Sequence, residues 1–130
     1  MAQYEDLEID QGTDVVISLE CFNTDGTKRI LNYFDLVEDT YLSYYTVNSY
    51  IKKTYNSSDS DRIAFTGTTI SPDEELNVIY LTLTNEQTDA MKPGRYVYDV
   101  ELMSYDSATS TTIVERILEG KINVTPSVTK

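Results

Sequence analysis

The sequence predicts an all-β protein, an antiparallel sandwich of about seven strands with one short helical turn. Three observations carry that reading. Apolar residues alternate at period two in "DVVISLECF", "LNVIYLTLT" and "RYVYDVEL", the pattern of strands with one buried face. Turn signals recur about every 8 to 12 residues, with Gln11-Gly12, Asp25-Gly26 and Pro93-Gly94 among them. No segment has the length and 3.6-residue period of a crossover helix, which argues against a parallel sheet.

Taken in order, "LEIDQGTDVVISLECF" reads as two extended segments separated at Gln11-Gly12. Residues 1–8 are expected as an extended arm. Val15, Ile17, Leu19 and Cys21 share one face, and Asp14, Val16, Ser18 and Glu20 the other. "NTDGTK" gives a hairpin or a sharp bend at Asp25-Gly26. The tract "RILNYFDLVEDTYLSYY" is compatible with a strand, a bulge or a short helical turn, whereas Thr46 to Tyr55 is rich in β-formers and reads as a strand.

Asn56 to Asp61 is a polar loop, and "RIAFTGTTI" a short strand with a bulge expected at Gly67. "SPDEE" turns the chain again. In the next strand Ile79, Leu81 and Leu83 oppose Val78, Tyr80 and Thr82. Thr84 followed by Gln87 forms a capping box, so Asn85 to Met91 is expected as one or two helical turns, ended by Pro93-Gly94. Tyr96, Tyr98, Val100 and Leu102 then face inward. "YDSATS" is a loop; "TTIVERILEGKINVTPSV" forms one long final strand or a pair broken near Gly120. Pro126 ends the pairing, leaving 125–130 as an extended tail.

The stretch Gly94-Arg95-Tyr96-Val97-Tyr98 refines the fold class. In immunoglobulin-like sandwiches a tyrosine near the start of the sixth strand turns its hydroxyl back onto the preceding corner. Tyr96 suits that corner, with Tyr98 in the core position that antibody domains give to a cysteine. The alternative is two ordinary core tyrosines. The expectation is therefore a single immunoglobulin-like antiparallel β-sandwich domain spanning 1–130, with Gly94, Tyr96 and Tyr98 at its structural corner.

Composition narrows the chemistry. A chain of 130 residues with 40% apolar content fills one core. It lacks the ~20-residue apolar run of a membrane helix, and "MAQYEDLEID" does not read as a secretory signal. The formal charge of −12, from 22 acidic against 10 basic side chains, repels phosphate backbones, and no basic stripe offsets it. Nucleic acid is excluded as a partner on that ground, and a membrane for want of any apolar span.

Catalysis is not expected either. There is no histidine, and the single Cys21 alternates with core residues, so the commonest base and strongest nucleophile are missing. No phosphate loop, G-x-S-x-G or H-E-x-x-H occurs. The acid pairs Glu5-Asp6 and Glu74-Glu75 lie at the terminus and in a turn, as solvated acids do. No cofactor is implied. Asn56, Asp59 and Asp61 offer hard oxygen donors to calcium, but without the EF-hand spacing, and no metal ligands are assigned. Asn56-Ser57-Ser58 and Asn123-Val124-Thr125 match glycosylation acceptors, which have meaning only on a secretory route.

Tyrosine is the distinctive residue, at 11 copies with no tryptophan. In "TYLSYYTVNSYIKKTY" the tyrosines stand at both parities and cannot all face one side of a strand. Some must be exposed, and tyrosine gives apolar area while keeping its hydroxyl wet. Tyr41, Tyr44 and Tyr45 are accordingly the candidate interface; the alternative is packing over one end of the sandwich within the monomer.

Two stretches carry a likeness. The opening "LEIDQGTDVVISLECFNTDGTKRIL" and the later "LTLTNEQTDAMKPGRYVYDVEL" with "VERILEGKINVTPSVT" resemble small virion proteins of tailed bacteriophages. The pattern is most similar to proteins of contractile-tailed phages of cyanobacteria, and more distantly to amino-terminal domains of upper-baseplate and receptor-binding proteins. About half the chain is covered; "NYFDLVEDTYLSYY" is longer and richer in tyrosine than the family pattern.

The resemblance implies a non-enzymatic virion structural protein, made in the host cytoplasm and built in many copies into tail, neck or baseplate, with other phage structural proteins as partners. A capsid decoration protein is the alternative within that class. A carbohydrate-binding sandwich contacting a host surface glycan is the alternative outside it.

Overall fold

The computed structural model describes residues 3–54, 56, 62–70 and 76–127. Two sheets and a separate hairpin account for its strands. In chain order they are β1 (Gln3–Tyr4), β2 (Leu7–Asp10), β3 (Val15–Glu20), β4 (Asn32–Asp35), β5 (Thr40–Ser43), β6 (Thr46–Lys52), β7 (Ile63–Ala64), β8 (Thr66–Thr68) and β9 (Val78–Leu83). A short helix α1 (Asn85–Asp89) leads to β10 (Gly94–Asp106) and β11 (Thr111–Thr125). One sheet runs β1-β11-β10-β6-β7, with β2 also on β11; the second runs β3-β9-β8; β4 and β5 pair only with each other. The chain is an all-β sandwich.

The tyrosine strand organises the core. Tyr96, Tyr98, Val100 and Leu102 on β10 are all buried, as are Ile79, Leu81 and Leu83 on β9, with Ile9, Ile51, Ile122 and Val124 in the same cluster. Val15, Ile17, Leu19 and Cys21 pack against that core but stay half-buried. Val15, Ile17 and Leu19 belong to β3, a strand with one hydrogen-bonded neighbour, so one side of each lies open.

At the corner, the Tyr96 hydroxyl donates to the carbonyl of Lys92 at 2.7 Å. Gly94 has φ +138°, left-handed space that L side chains rarely adopt. The capping box of α1 is complete: Gln87 N–H donates to Thr84 Oγ1 at 3.2 Å, and Thr84 N–H to Gln87 Oε1 at 2.9 Å. The helix stops at Asp89, short of the expected Met91, whose side chain is instead buried in the core.

Elsewhere the structure departs from the pattern reading. The break in "RIAFTGTTI" falls at Phe65 and not at Gly67. There the chain crosses between sheets, since β7 pairs with β6 and β8 with β9. Phe65 is buried and its N–H donates to Ser49 O at 3.0 Å. Gly67 lies within β8, where a Cβ would stand 2.7 Å from Val47 Cγ1. Close approach of the sheets, not a bulge, explains that glycine. The bulge sits at Val100/Glu101 against β11, and residues 111–125 form a single strand.

The segment expected as an extended arm is laid alongside β11 from Gln3 onward, in parallel register. In the tail, Ser127 N–H donates to Gln11 Oε1 at 3.2 Å. Asp59, Asp61, Tyr55 and the "SPDEE" turn lie outside the described residues.

Candidate functional site

The tract left open by its pattern, residues 31–45, folds as the β4–β5 hairpin inserted between β3 and β6. Its base is anchored. Leu31 is fully buried; its N–H donates to Leu76 O at 2.7 Å and its carbonyl accepts from Tyr44 N–H at 2.9 Å. Asn32 Nδ2 donates to Thr69 O at 2.7 Å, which ties the hairpin to the end of the second sheet.

The turn is held by its own side chain. Asp35 Oδ1 accepts from the N–H groups of Val37 at 2.8 Å and Glu38 at 3.2 Å, an Asx arrangement that replaces backbone turn bonds. Asp39 takes φ 54°, a conformation aspartate tolerates better than most residues. The consequence is a fixed presentation of two aliphatic residues, Leu36 at 86% exposure and Val37 at 91%. The hairpin register pairs Tyr33 with Leu42 and Phe34 with Tyr41, so the two pairs point to opposite faces. Tyr33 and Tyr44 bring their rings to 4.7 Å, while Phe34 and Tyr41 meet edge-on at 5.2 Å.

The three candidate tyrosines are thus placed differently. Tyr44 is exposed on the hairpin, and Tyr41 is half-buried against Phe34. Tyr45 packs against the core. The Arg29 guanidinium lies 5.2 Å from the Tyr45 ring centroid and donates to its hydroxyl at 3.4 Å. Arg29 also forms an ion pair with Glu115 of β11. The corner residues Gly94, Tyr96 and Tyr98 lie away from this end, at the start of β10.

Register places the exposed apolar surface. β3 ends, β6 and β9 begin, and β10 turns into β11 at the same end as the hairpin. Apart from Tyr4 and Val16, the exposed large apolar side chains of the described residues all belong to this end. They include Phe34, Leu36 and Val37 on the hairpin, and Tyr105, Ile113 and Val114 where β10–β11 outruns β6. Leu36 and Val37, the most exposed of these side chains, are not among the tyrosines that composition singles out. Their signal was "FDLVED", an apolar pair set between carboxylates inside a turn, where nothing can bury it.

A cavity of about 280 Å³ opens between the strand edges, lined by Leu19, Cys21, Phe22, Arg29, Ile117 and Leu118 among others. Burial pushes the Cys21 thiol above its ordinary pKa, which suppresses the reactive thiolate. Arg29 is committed to Glu115 and Tyr45. Among the described residues, no group of three or more histidine, cysteine or acidic side chains could hold a metal ion. No helix among them is long and apolar enough to cross a membrane.

No protein-family model matches the chain, and no curated protein matches it.

Proposed function

We propose that the protein is a non-enzymatic structural subunit of a bacteriophage particle, an immunoglobulin-like adaptor of tail, neck or baseplate that docks through its β4–β5 end. The observation that carries the docking is the turn braced by Asp35, which holds Leu36 and Val37 almost fully in solvent. Two aliphatic side chains so exposed cost hydration free energy that only a partner recovers.

The corner bond from Tyr96 to Lys92, at the start of a strand packed opposite β3-β9-β8, supports the immunoglobulin-like reading. The virion setting rests on the likeness of "PGRYVYDV" and "EGKINVTPSVT" to small phage structural proteins. Rigid hairpins at one end of a sandwich suit assembly, because loops on a stiff scaffold contact partners with little ordering cost.

The test is incorporation. Leu36→Ser with Val37→Ser is expected to leave the fold intact and remove the protein from purified particles, detected by immunogold labelling and quantitative mass spectrometry. Wild-type copy number with the double variant would overturn docking through this end. Absence of the wild-type protein from particles would overturn the virion role.

A further inference from the structure

Resting on that reading of the β4–β5 end, we propose the chemistry of its occupant. It is a protein other than a second copy of this chain, and it presents an apolar pocket edged with arginine or lysine. The apolar part of the contact is Phe34, Leu36 and Val37, all exposed. Around them stand Asp35, Glu38 and Asp39, and no lysine or arginine occurs between Arg29 and Lys52. Asp106 adds a further carboxylate at the β10–β11 turn of the same end. Glu115, by contrast, is neutralised by Arg29.

The carboxylates decide what can cover the aliphatic pair. Two copies meeting end to end through an isologous contact would set each copy's acids against the same acids of the other. That juxtaposition works against the complex, most strongly as water is excluded. Head-to-tail contact would leave one aliphatic pair uncovered at the end of every open chain, or close a ring. A pocket edged with cations turns the same charges into attraction and speeds encounter with the correct partner. The acids therefore select the partner and hold free copies apart.

Sedimentation of the purified chain tests this without any phage component, so its failure is separable from failure of the virion role. At high protein concentration the wild type is expected to be monomeric at about 0.05 M salt and to associate more readily at about 0.5 M, where the screening length has fallen severalfold and the acids repel less. Neutralising the guard with D35N/E38Q/D39N is expected to produce dimers at the lower salt, and adding L36S/V37S should dissolve them. Wild-type oligomers at about 0.05 M salt that L36S/V37S dissolves would overturn the proposal in favour of a second copy. A monomeric D35N/E38Q/D39N variant at both salts would show that the acids guard nothing. A labelled peptide of alternating leucine and arginine supplies the partner's chemistry. L36S/V37S, which conserves charge, should weaken its binding by at least about tenfold, or ~1.4 kcal/mol. Equal affinity would mean charge alone binds it, and would overturn the apolar pocket.

Discussion

The hydroxyl of Tyr98 donates to the carbonyl oxygen of Glu5 at 2.8 Å, reaching out of the core to hold the chain's opening strands. Tyr98 stands opposite Gly120 on β11. A Cβ at Gly120 would lie 1.8 Å from that same Glu5 oxygen and 3.1 Å from Tyr98 Cε1. The opening segment therefore crosses directly over a position with no side chain, between its pairing as β1 and as β2. One core tyrosine fixes it there.

Gly120→Ala should displace the crossing, because backbone cannot yield as a flexible side chain does. We expect a loss of about 1–3 kcal/mol in urea unfolding, the range for overpacking, and faster amide exchange over residues 3–10. Tyr98→Phe removes only the bond to Glu5 and should cost ~1 kcal/mol, whereas Tyr98→Ala should cost ~3 kcal/mol or more. Unchanged exchange in Gly120→Ala would show that the crossing has room.

Alkali should unfold the protein through its core tyrosines. Burial raises the Tyr98 phenol pKa, with the carboxylates of Glu5 and Asp6 pushing the same way; burial also raises Tyr96. An unfolded tyrosine ionises near pH ~10. Below that value both states are protonated and the contribution to stability is complete. Above it the unfolded chain binds fewer protons than the folded one, so stability falls as pH rises. Urea midpoints measured from pH 8 to 11 should drop above about pH 10, with a shallower drop in Tyr98→Phe. A drop of equal slope in that variant would assign the effect elsewhere.

Legibility followed the strength of local patterns. Alternation through Tyr96, Tyr98, Val100 and Leu102 placed β10 correctly, because an inward face buried to this degree tolerates no change of register. Thr84 and Gln87 announced α1 through a bond made within four residues. Residues 31–45 were illegible for the converse reason. Their hairpin is anchored by long-range bonds from Leu31 to Leu76 and from Asn32 to Thr69, partners that no local window contains. The sheet switch at Phe65 hid likewise, since crossing between sheets leaves no period. At the hairpin end the aromatic count drew attention to Tyr45, which packs on the core, and away from the exposed Leu36 and Val37.

Gly67 tests the closeness of the two sheets. Its absent Cβ would meet Val47 Cγ1 at 2.7 Å, Val47 Cβ at 3.1 Å and Leu81 Cδ2 at 3.2 Å. Gly67→Ala should destabilise by about 1–3 kcal/mol. Val47→Ala, destabilising alone, should recover part of that loss when combined with it. The coupling is read from a double-mutant cycle. Additive losses would mean that the sheets separate freely enough to admit the methyl group.

Tyr44, Tyr45 and the Leu36–Val37 pair should separate docking from folding. Tyr44 is exposed and its ring meets Tyr33, so Tyr44→Ser should cost no more than the ~0.5–1.5 kcal/mol of an aromatic pair. Tyr45 packs on the core beneath Arg29. Tyr45→Ser should cost ~2 kcal/mol or more, by analogy with truncation of buried large side chains. Loss of particle incorporation in the Tyr44/Tyr45 double variant would thus confuse instability with lost contact. Leu36→Ser with Val37→Ser touches side chains already in water, so stability should stay within about 0.5 kcal/mol of wild type. Thermal melting measured beside particle copy number decides the matter. We expect L36S/V37S to melt as wild type yet fail to assemble, with Tyr44→Ser between the two. If Tyr44→Ser alone abolishes assembly while L36S/V37S assembles fully, the contact lies on the Tyr33–Tyr44 face of the hairpin and not at its tip.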